Sequence, residues 1–552
     1  MPRLNSFLKA ALSTLCLSQV TKAQPDATVQ LDNATVIGVP NVNFVTFFGI
    51  PFALPPVGDL RLQIPWPNAP YTGTINATSP GTQCWQKMTT PPKLPPSAPP
   101  AVGVFLQEIT TTSSQVQSED CELELERDHP CGAKEGDNLP VAAWIFGGGN
   151  EFGSNLQVPG ENVVNRSVLI EKPIIFVSMN YRLNGFGFLG GREVQEAGVG
   201  NLGLHDQREA LRWIQKYIRK FGGDPTKVTI WGESAGGEGV AMQMLANDGD
   251  SEGLFRGAWM ESGSTTFTGD FAQDLQPNFD TIVQNTGCAN QMNKLMCLRS
   301  VDVNTLVQAI SDTEGFLSFS AIASPYAAVR ADGKFVKKPP QKLVLSGSIA
   351  NVPFVLGSNQ DEGTLFSVSS LNLTTEAQAQ AYIHGNYYSK IPQAKIAELF
   401  RLYPADPAAG SPFRTGHNFT ITPVYKQISA FQGDLLVNSP RRFLLNRRGE
   451  KQGAWTFLSE RSKIPGLGAA HTTEVPIIYG GGDLTDYLIR FVNDLDPNGA
   501  ENSSAMYWPK WTKHERSSLT LLDGNVTLVV QLDTFREEAI ELVTELSFTQ
   551  NA

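Results

Sequence analysis

Five short apolar runs stand out along the chain. Val141–Phe146 (VAAWIF), Ile174–Met179 (IIFVSM) and Val228–Trp231 (VTIW) come first, and Val352–Leu356 (VPFVL) and Ala454–Leu458 (AWTFL) follow. Continuous apolar runs of this length are expected of strands buried on both faces. Between the second and third, Leu211, Ile214, Tyr217, Ile218 and Phe221 recur at helical spacing within Asp206–Phe221, and Gly222 and Gly223 end that helix. Strands alternating with helical patterns predict the α/β class, with a mostly parallel twisted sheet flanked by helices. The stretches 265–345 and 365–450 read as helix-rich insertions covering the sheet, so residues 24–552 are expected to form one domain. Pro91 to Pro100 holds six prolines, which exclude regular helix and central strand. Its place between Cys84 and Cys121 makes it a candidate flap over a site.

Composition narrows the class. The 552 residues are 41% hydrophobic and 18% charged, as in globular proteins. The net charge of −11, from 54 acidic and 43 basic residues, argues against nucleic acid as a partner, because phosphate binding needs clustered Lys and Arg. Arg3 and Lys9 flank a short apolar stretch through Leu17, with small residues Thr21 and Ala23 behind it. This pattern predicts a secretory signal peptide, residues 1–23. No later run is long enough for a transmembrane anchor, and the C-terminus lacks a lipid-anchor pattern. A secreted, extracellular protein is expected. Sequons at Asn33, Asn76, Asn165, Asn372, Asn418, Asn502 and Asn525 fit a glycosylated surface. Removal of the leader leaves Cys84, Cys121, Cys131, Cys288 and Cys297, an odd set, so at least one thiol is unpaired or bonded between chains. Cys288 and Cys297 are close enough to staple a short loop, a bond contributing about 2–4 kcal/mol. No Cys/His cluster has zinc spacing, so no metal site is expected.

The chemistry centres on Gly232-Glu233-Ser234-Ala235-Gly236. It matches G-x-S-x-G, follows the run Val228–Trp231 and precedes a helical pattern containing Val240, Met242, Met244 and Leu245. A serine on a sharp strand-to-helix turn is strained, and flanking glycines relieve the crowding. Its Oγ is then presented to a base beside the free N–H groups of a helix N-terminus. Gly147-Gly148-Gly149 follows the run Val141–Phe146. It lacks the P-loop ending and the GxGxxG spacing of a phosphate cradle. Beside a nucleophile elbow, its N–H groups suit an oxyanion hole, with the N–H of Ala235 as a further donor. A serine nucleophile needs a base and an orienting carboxylate, in the chain order serine, acid, histidine. That order sets aside His129 and His205. His384, His417 and His514 lie in ordinary polar surroundings. His471 lies in a small-residue loop after Ala454–Leu458. Asp361 and Glu362 follow Val352–Leu356, and on order alone either carboxylate qualifies.

Taken together these residues resemble the type-B carboxylesterase/lipase family, the cholinesterase-like α/β-hydrolases, most closely its secreted fungal lipases and esterases. The resemblance covers most of the mature chain. It runs through Gly147–Gly149, Asn180–Arg182, Gly200–Gln207, Phe221–Pro225, Gly232–Gly237, Glu261–Ser264, Asp361–Thr364 and His471–Glu474. It implies an α/β-hydrolase fold and a carboxylic-ester hydrolase working without cofactor or metal on a small-molecule or lipid ester, with a lipid–water interface among its expected partners. By family pattern the acid is Glu362 and Asp361 is structural. The oxyanion donors are Gly148, Gly149 and Ala235, and Ser262 with Glu474 stands behind the histidine. The resemblance also implies disulfides Cys84–Cys121 and Cys288–Cys297, with Cys131 unpaired. A lid is implied over residues 85 to 120. The chain departs from the pattern at Asn150, where an aromatic is usual, at Gly239, where serine is common, in the acidic stretch Glu122–Glu126 and in its proline-rich lid. Two rival readings are a non-catalytic adhesion module, which would be expected to have lost the triad, and a peptidase, for which no peptide-binding domain is apparent.

Overall fold

The computed structural model describes residues 27–87, 90–110, 116–121, 125–130, 132–499 and 506–551. The expected leader, Cys131, most of the acidic stretch 122–126 and Asn502 lie outside the described residues.

An eleven-stranded sheet forms the frame. In chain order its strands are β1 (Val39–Pro40), β2 (Phe44–Ile50), β3 (Leu125–Pro130), β4 (Leu139–Ile145), β5 (Ile175–Met179), β6 (Gly223–Glu233), β7 (Gly257–Glu261), β8 (Phe354–Asn359), β9 (Ala454–Ser459), β10 (Ser517–Leu521) and β11 (Leu528–Leu532). Their spatial order is β11-β10-β9-β8-β7-β6-β4-β5-β3-β2-β1. Every pairing from β10 across to β5 is parallel, and the pairings outside that span are antiparallel. The expected mostly parallel sheet is therefore its centre. All five apolar runs fall in that centre, where most strand positions are buried. Val141, Ala142, Ala143 and Ile145 on β4 are fully buried, as are Ile175, Phe176 and Val177 on β5.

Two expected elements shift. β6 begins five residues before Val228, because its pairing with β4 already starts at Gly223 opposite Leu139, across an irregularity that ends at Val228. The helix expected at Asp206–Phe221 runs from Leu202 to Tyr217 and tightens into a 3-10 turn, Ile218–Phe221. Gly222 ends that turn with φ +87, a left-handed conformation suited to glycine.

Parallel strands all end on one edge, and a crevice forms there. The register puts Gly232 beside Ile145, Glu233 beside Glu261 and Asn359 beside Ser459, so the loops after β4, β6, β7, β8 and β9 open at one place. An apolar cluster separate from the main core roofs that edge. It includes Val102, Leu106, Phe316, Leu365, Phe366 and Leu467. Val102 and Leu106 come from α1 (Pro100–Thr110), which follows the irregular proline stretch. Proline is tolerated in the first turn of a helix, so Pro100 can open it. The structure pairs Cys84 with Cys121, closing the loop that carries α1, and Cys288 with Cys297. Among the described residues, no helix is long and apolar enough to cross a membrane.

The far edge is pinned by charge. Asp533, just past β11, accepts two bonds from Arg441, from Nη1 to Oδ2 and from Nη2 to Oδ1, each at 2.9 Å. It accepts two more from Arg442, at 2.8 and 3.1 Å. Burial alone would raise this carboxyl, but the two guanidinium groups more than reverse that and hold it well below the usual carboxylate range. Its stabilising contribution is therefore complete above the ordinary value of 3.8 and is lost as pH falls toward the lower folded value. Asp533→Asn leaves two buried guanidinium groups short of a partner and is expected to destabilise the fold by about 3–5 kcal/mol. Denaturant melts at pH 7 and pH 3.5 check this: the gap between variant and parent should narrow at the lower pH.

Candidate active site

β6 ends at Glu233, and α2 (Ala235–Gly249) starts two residues later. Ser234 makes the turn between them with φ 56 and ψ −125, a strained conformation for a side chain. Tight packing enforces it. A Cβ on Gly236 would lie 2.0 Å from the Ile145 carbonyl, and one on Gly232 would lie 2.4 Å from the Gly236 carbonyl. Both positions therefore require glycine. Ser234 N donates to Glu261 O at 2.8 Å, anchoring the elbow to β7.

The strand-end loops bring the acid and the histidine to this serine. His471 Nε2 lies 2.7 Å from Ser234 Oγ, and His471 Nδ1 lies 2.7 Å from Glu362 Oε2. The other Glu362 oxygen accepts from Asn359 N at 2.6 Å, so the carboxylate is held at both ends. The ring of Phe366 packs against the imidazole, with centroids 5.0 Å apart. His471 and Glu362 are both buried. Asp361 faces elsewhere. Its Oδ1 accepts from Ser411 Oγ at 2.7 Å and Phe413 N at 2.8 Å, and its Oδ2 accepts from Ala469 N at 3.0 Å. It ties two loops together and does not reach the imidazole through any of these bonds.

Behind this line sits a buried carboxyl group whose partners were only partly legible. Ser262 Oγ donates to Glu474 Oε1, and Asn359 Nδ2 donates to Glu474 Oε2. Burial and the nearby Glu362 push the Glu474 carboxyl up to about 7, against the opposing pull of His471. Two further acids were missed by sequence reasoning. Glu233, the variable residue of the G-x-S-x-G pattern, places Oε1 3.7 Å from His471 Nε2. Burial, then Glu474, Glu261 and Glu362, raise its carboxyl well above the usual range. Glu261 accepts from the indole N–H groups of Trp231 at 2.5 Å and Trp259 at 2.9 Å, and burial raises it likewise. Nothing in one sequence marks these positions, because their role arises from strands meeting in register.

The glycine loop faces the same space. Gly148 has φ +105 and Gly149 φ +64, and a Cβ on Gly148 would lie 2.1 Å from the Phe152 carbonyl. Asn150, where the resemblance leads one to expect an aromatic, also has positive φ, at 57, and its Nδ2 donates to Tyr326 O at 3.1 Å. Asparagine tolerates that left-handed backbone better than a bulky ring would. Phe152 borders the cavity two residues on. Gly239 packs against the Gln207 amide, where a Cβ would sit 3.0 Å from Oε1.

Ser234, His471, Gly148, Gly149 and Ala235 all border one cavity of about 590 Å³. Its remaining wall is largely apolar, including Phe152, Phe316, Leu365, Phe366 and Val475. Glu108 and Ile109 at the end of α1 also reach it. An apolar hollow with a hydrogen-bonded serine–histidine–glutamate line at one wall fits an acyl group at a reactive carbonyl.

Residues 25–538 match the carboxylesterase family. The chain belongs to the carboxylesterase family. It is 40% identical to Lipase 4 of Diutina rugosa over 544 residues, 95% of this chain and 96% of that protein. It is 38% identical to Secreted lipase 1 of Botryotinia fuckeliana, covering 89% of this chain and 88% of that one. The crystal structure of Aspergillus niger EstA superimposes with a TM-score of 0.79 at 26% identity, covering 96% of this chain and 99% of that one. The chain is thus a carboxylic-ester hydrolase with an α/β-hydrolase fold.

Substitution at the glycine loop tests its part in this carboxylesterase. Gly148→Ala forces a Cβ into the Phe152 carbonyl and disfavours φ +105. It is expected to lower kcat by about 10²–10³-fold, as does loss of one oxyanion donor. Steady-state kinetics on the folded variant check this.

Proposed function

We propose that this carboxylesterase is a secreted serine hydrolase that cleaves acyl esters through a Ser234-linked acyl-enzyme. The observation that carries the reading is the continuous hydrogen-bonded line Glu362–His471–Ser234 on the wall of an apolar cavity. His471 Nε2 takes the Ser234 proton as Oγ attacks the ester carbonyl. The carbonyl oxygen gains negative charge and is held by the N–H groups of Gly148, Gly149 and Ala235. The tetrahedral adduct collapses, the C–O bond to the alcohol breaks, and His471 passes its proton to the leaving alkoxide. Water then repeats the attack on the acyl-enzyme, with His471 again as base, and releases the carboxylic acid and free Ser234. Glu362 accepts from Nδ1 and fixes the tautomer in which Nε2 is the base. Glu474 and Ser262 brace Asn359, whose N–H holds Glu362.

The large apolar cavity, and a relative named as a secreted lipase, favour a lipid or long-chain acyl ester as substrate. The loop closed by Cys84–Cys121 carries α1, whose Glu108 and Ile109 border the cavity, and in this reading it serves as the lid. A secretory leader at residues 1–23 accords with both disulfides and with the exposed sequons Asn33, Asn76, Asn372, Asn418 and Asn525. Asn165 is half-buried, and its Oδ1 is enclosed, so it is the poorest acceptor among the described sequons. A series of p-nitrophenyl esters from C2 to C16, with and without an oil–water interface, tests the substrate reading. Rising kcat/KM with chain length supports it, whereas a maximum at C2 rejects a lipase.

A further inference from the structure

Two buried ionisable side chains have no part in the proton chain. Glu151 follows Gly147-Gly148-Gly149-Asn150 and is fully buried, and Lys87 is 3% exposed. Neither lines the cavity. Buried charges are retained only where partners compensate their desolvation, so their partners show what they hold.

Three segments meet on this pair. The first is the chain just after Cys84, at the base of the disulfide loop. Lys87 N donates to Glu151 O at 2.8 Å. Beside it, Gln86 Nε2 donates to Gly153 O at 3.1 Å, and Gly153 N donates to Gln86 Oε1 at 2.6 Å. The second is the glycine loop itself. Glu151 N and Phe152 N both donate to Gly148 O, at 3.0 and 3.2 Å, so the orientation of the Gly148 peptide depends on where Glu151 stands. The third is the segment 311–316, whose last residue, Phe316, lines the cavity. Lys87 Nζ donates to Ser311 O at 3.0 Å and Thr313 O at 2.7 Å, and Glu151 Oε1 accepts from Phe316 N at 2.9 Å.

Gly315 lies between the two side chains. A Cβ there would be 2.5 Å from Glu151 Oε2 and 3.2 Å from Lys87 Cε. Burial pushes the Glu151 carboxyl up and the Lys87 ammonium down, and each group's attraction for the other offsets only part of that. Phe316 at the end of this segment stands 5.3 Å from Phe152, centroid to centroid, and is the nearest side chain to any Cβ placed on Gly149.

We propose that Lys87 and Glu151 are paired positioning residues that set the glycine loop and Phe316 as one unit, so that carbonyl stabilisation and acyl-chain fit are fixed together. This rests on the reading of Gly148 and Gly149 as oxyanion donors. A pair that served only the stability of the fold would leave substrate preference untouched.

The test compares Lys87→Met, Glu151→Gln, the double variant and Phe316→Ala with the parent enzyme, using p-nitrophenyl butyrate and p-nitrophenyl laurate. Each single charge variant should lower kcat on butyrate by about 10–100-fold, as expected for a misplaced donor loop. The ratio of kcat/KM between laurate and butyrate should move in the direction seen for Phe316→Ala. The double variant should be no worse than the worse single, because the two act as one device. Additive losses, or folded singles with parental kcat and a parental ratio, overturn the proposal. If a single variant fails to fold, the double variant decides, since it removes both charges at nearly constant volume: a shifted ratio supports positioning, and a parental ratio overturns it. Gly148→Ala run in parallel separates the two readings. Parental kcat in that variant removes the oxyanion reading on which the proposal rests, whereas an impaired Gly148→Ala beside parental charge variants removes only the positioning role.

Discussion

Ser234→Ala is expected to lower kcat on a soluble ester by about 10⁶-fold while the protein keeps its fold. The loss is large because the serine, the histidine and the acid act as a unit. Without Oγ there is no acyl-enzyme to form, and His471 has no proton to take. A residual enhancement of about 10³–10⁴ over water is expected to remain, from the N–H donors and the binding cavity. Folding should survive, because the alanine keeps the Cβ and the backbone bond from residue 234 to Glu261 O. Relief of the unusual φ is not offered either way, since alanine at φ 56 remains strained. Stopped-flow and steady-state rates beside circular dichroism give the comparison.

The second large effect separates two adjacent acids. Glu362→Gln is expected to lower kcat by about 10⁴-fold. The reason is local. Asn359 N donates to Glu362 Oε1, so the amide oxygen of the glutamine is drawn there. Its NH₂ then faces His471 Nδ1, where Oε2 now accepts. A donor opposite Nδ1 forces the ring proton onto Nε2, and Nε2 can no longer take the serine proton. Asp361→Asn behaves differently. It turns an NH₂ toward the Ala469 N–H, or else toward Ser411 and Phe413, which all donate to the carboxylate. That mismatch costs about 1–3 kcal/mol of stability. The kcat of folded Asp361→Asn should stay within about tenfold of the parent, since its bonds serve loops and not the imidazole. Equal kinetic losses at both positions would contradict the assignment.

The sheet centre was legible in the sequence because strands buried on both faces leave continuous apolar runs. Its edges were not. β3 reads LERDHP, and β11 leaves Gln531 and Leu532 exposed, so neither produces such a run. The helix α1 was hidden by the prolines before it. Its apolar face is short, and only Val102 and Leu106 are deeply buried.

At the site, Ser234 was legible because glycine is demanded at fixed offsets on either side of it. His471 followed from chain order and loop position. Glu362 did not follow from the residues alone, since Asp361 stands beside it. The resemblance chose between them, and the hydrogen bonds give the physical difference. Asn359, Glu233, Glu261, Lys87 and Glu151 were not legible as site residues. Each acts across a separation in sequence that only the register of the sheet or the crossing of loops closes. Asn359 meets Glu474 from 115 residues away, and Phe316 N reaches Glu151 across 165.

The most direct measurement of the central claim is covalent capture of the nucleophile. The parent enzyme is incubated with a fluorophosphonate until activity is lost, digested, and mapped by mass spectrometry. The account predicts one phosphonyl adduct, on Ser234, with labelling in proportion to the activity lost and absent from Ser234→Ala. An adduct on another residue that tracks inactivation, or full inactivation with Ser234 unmodified, would contradict it.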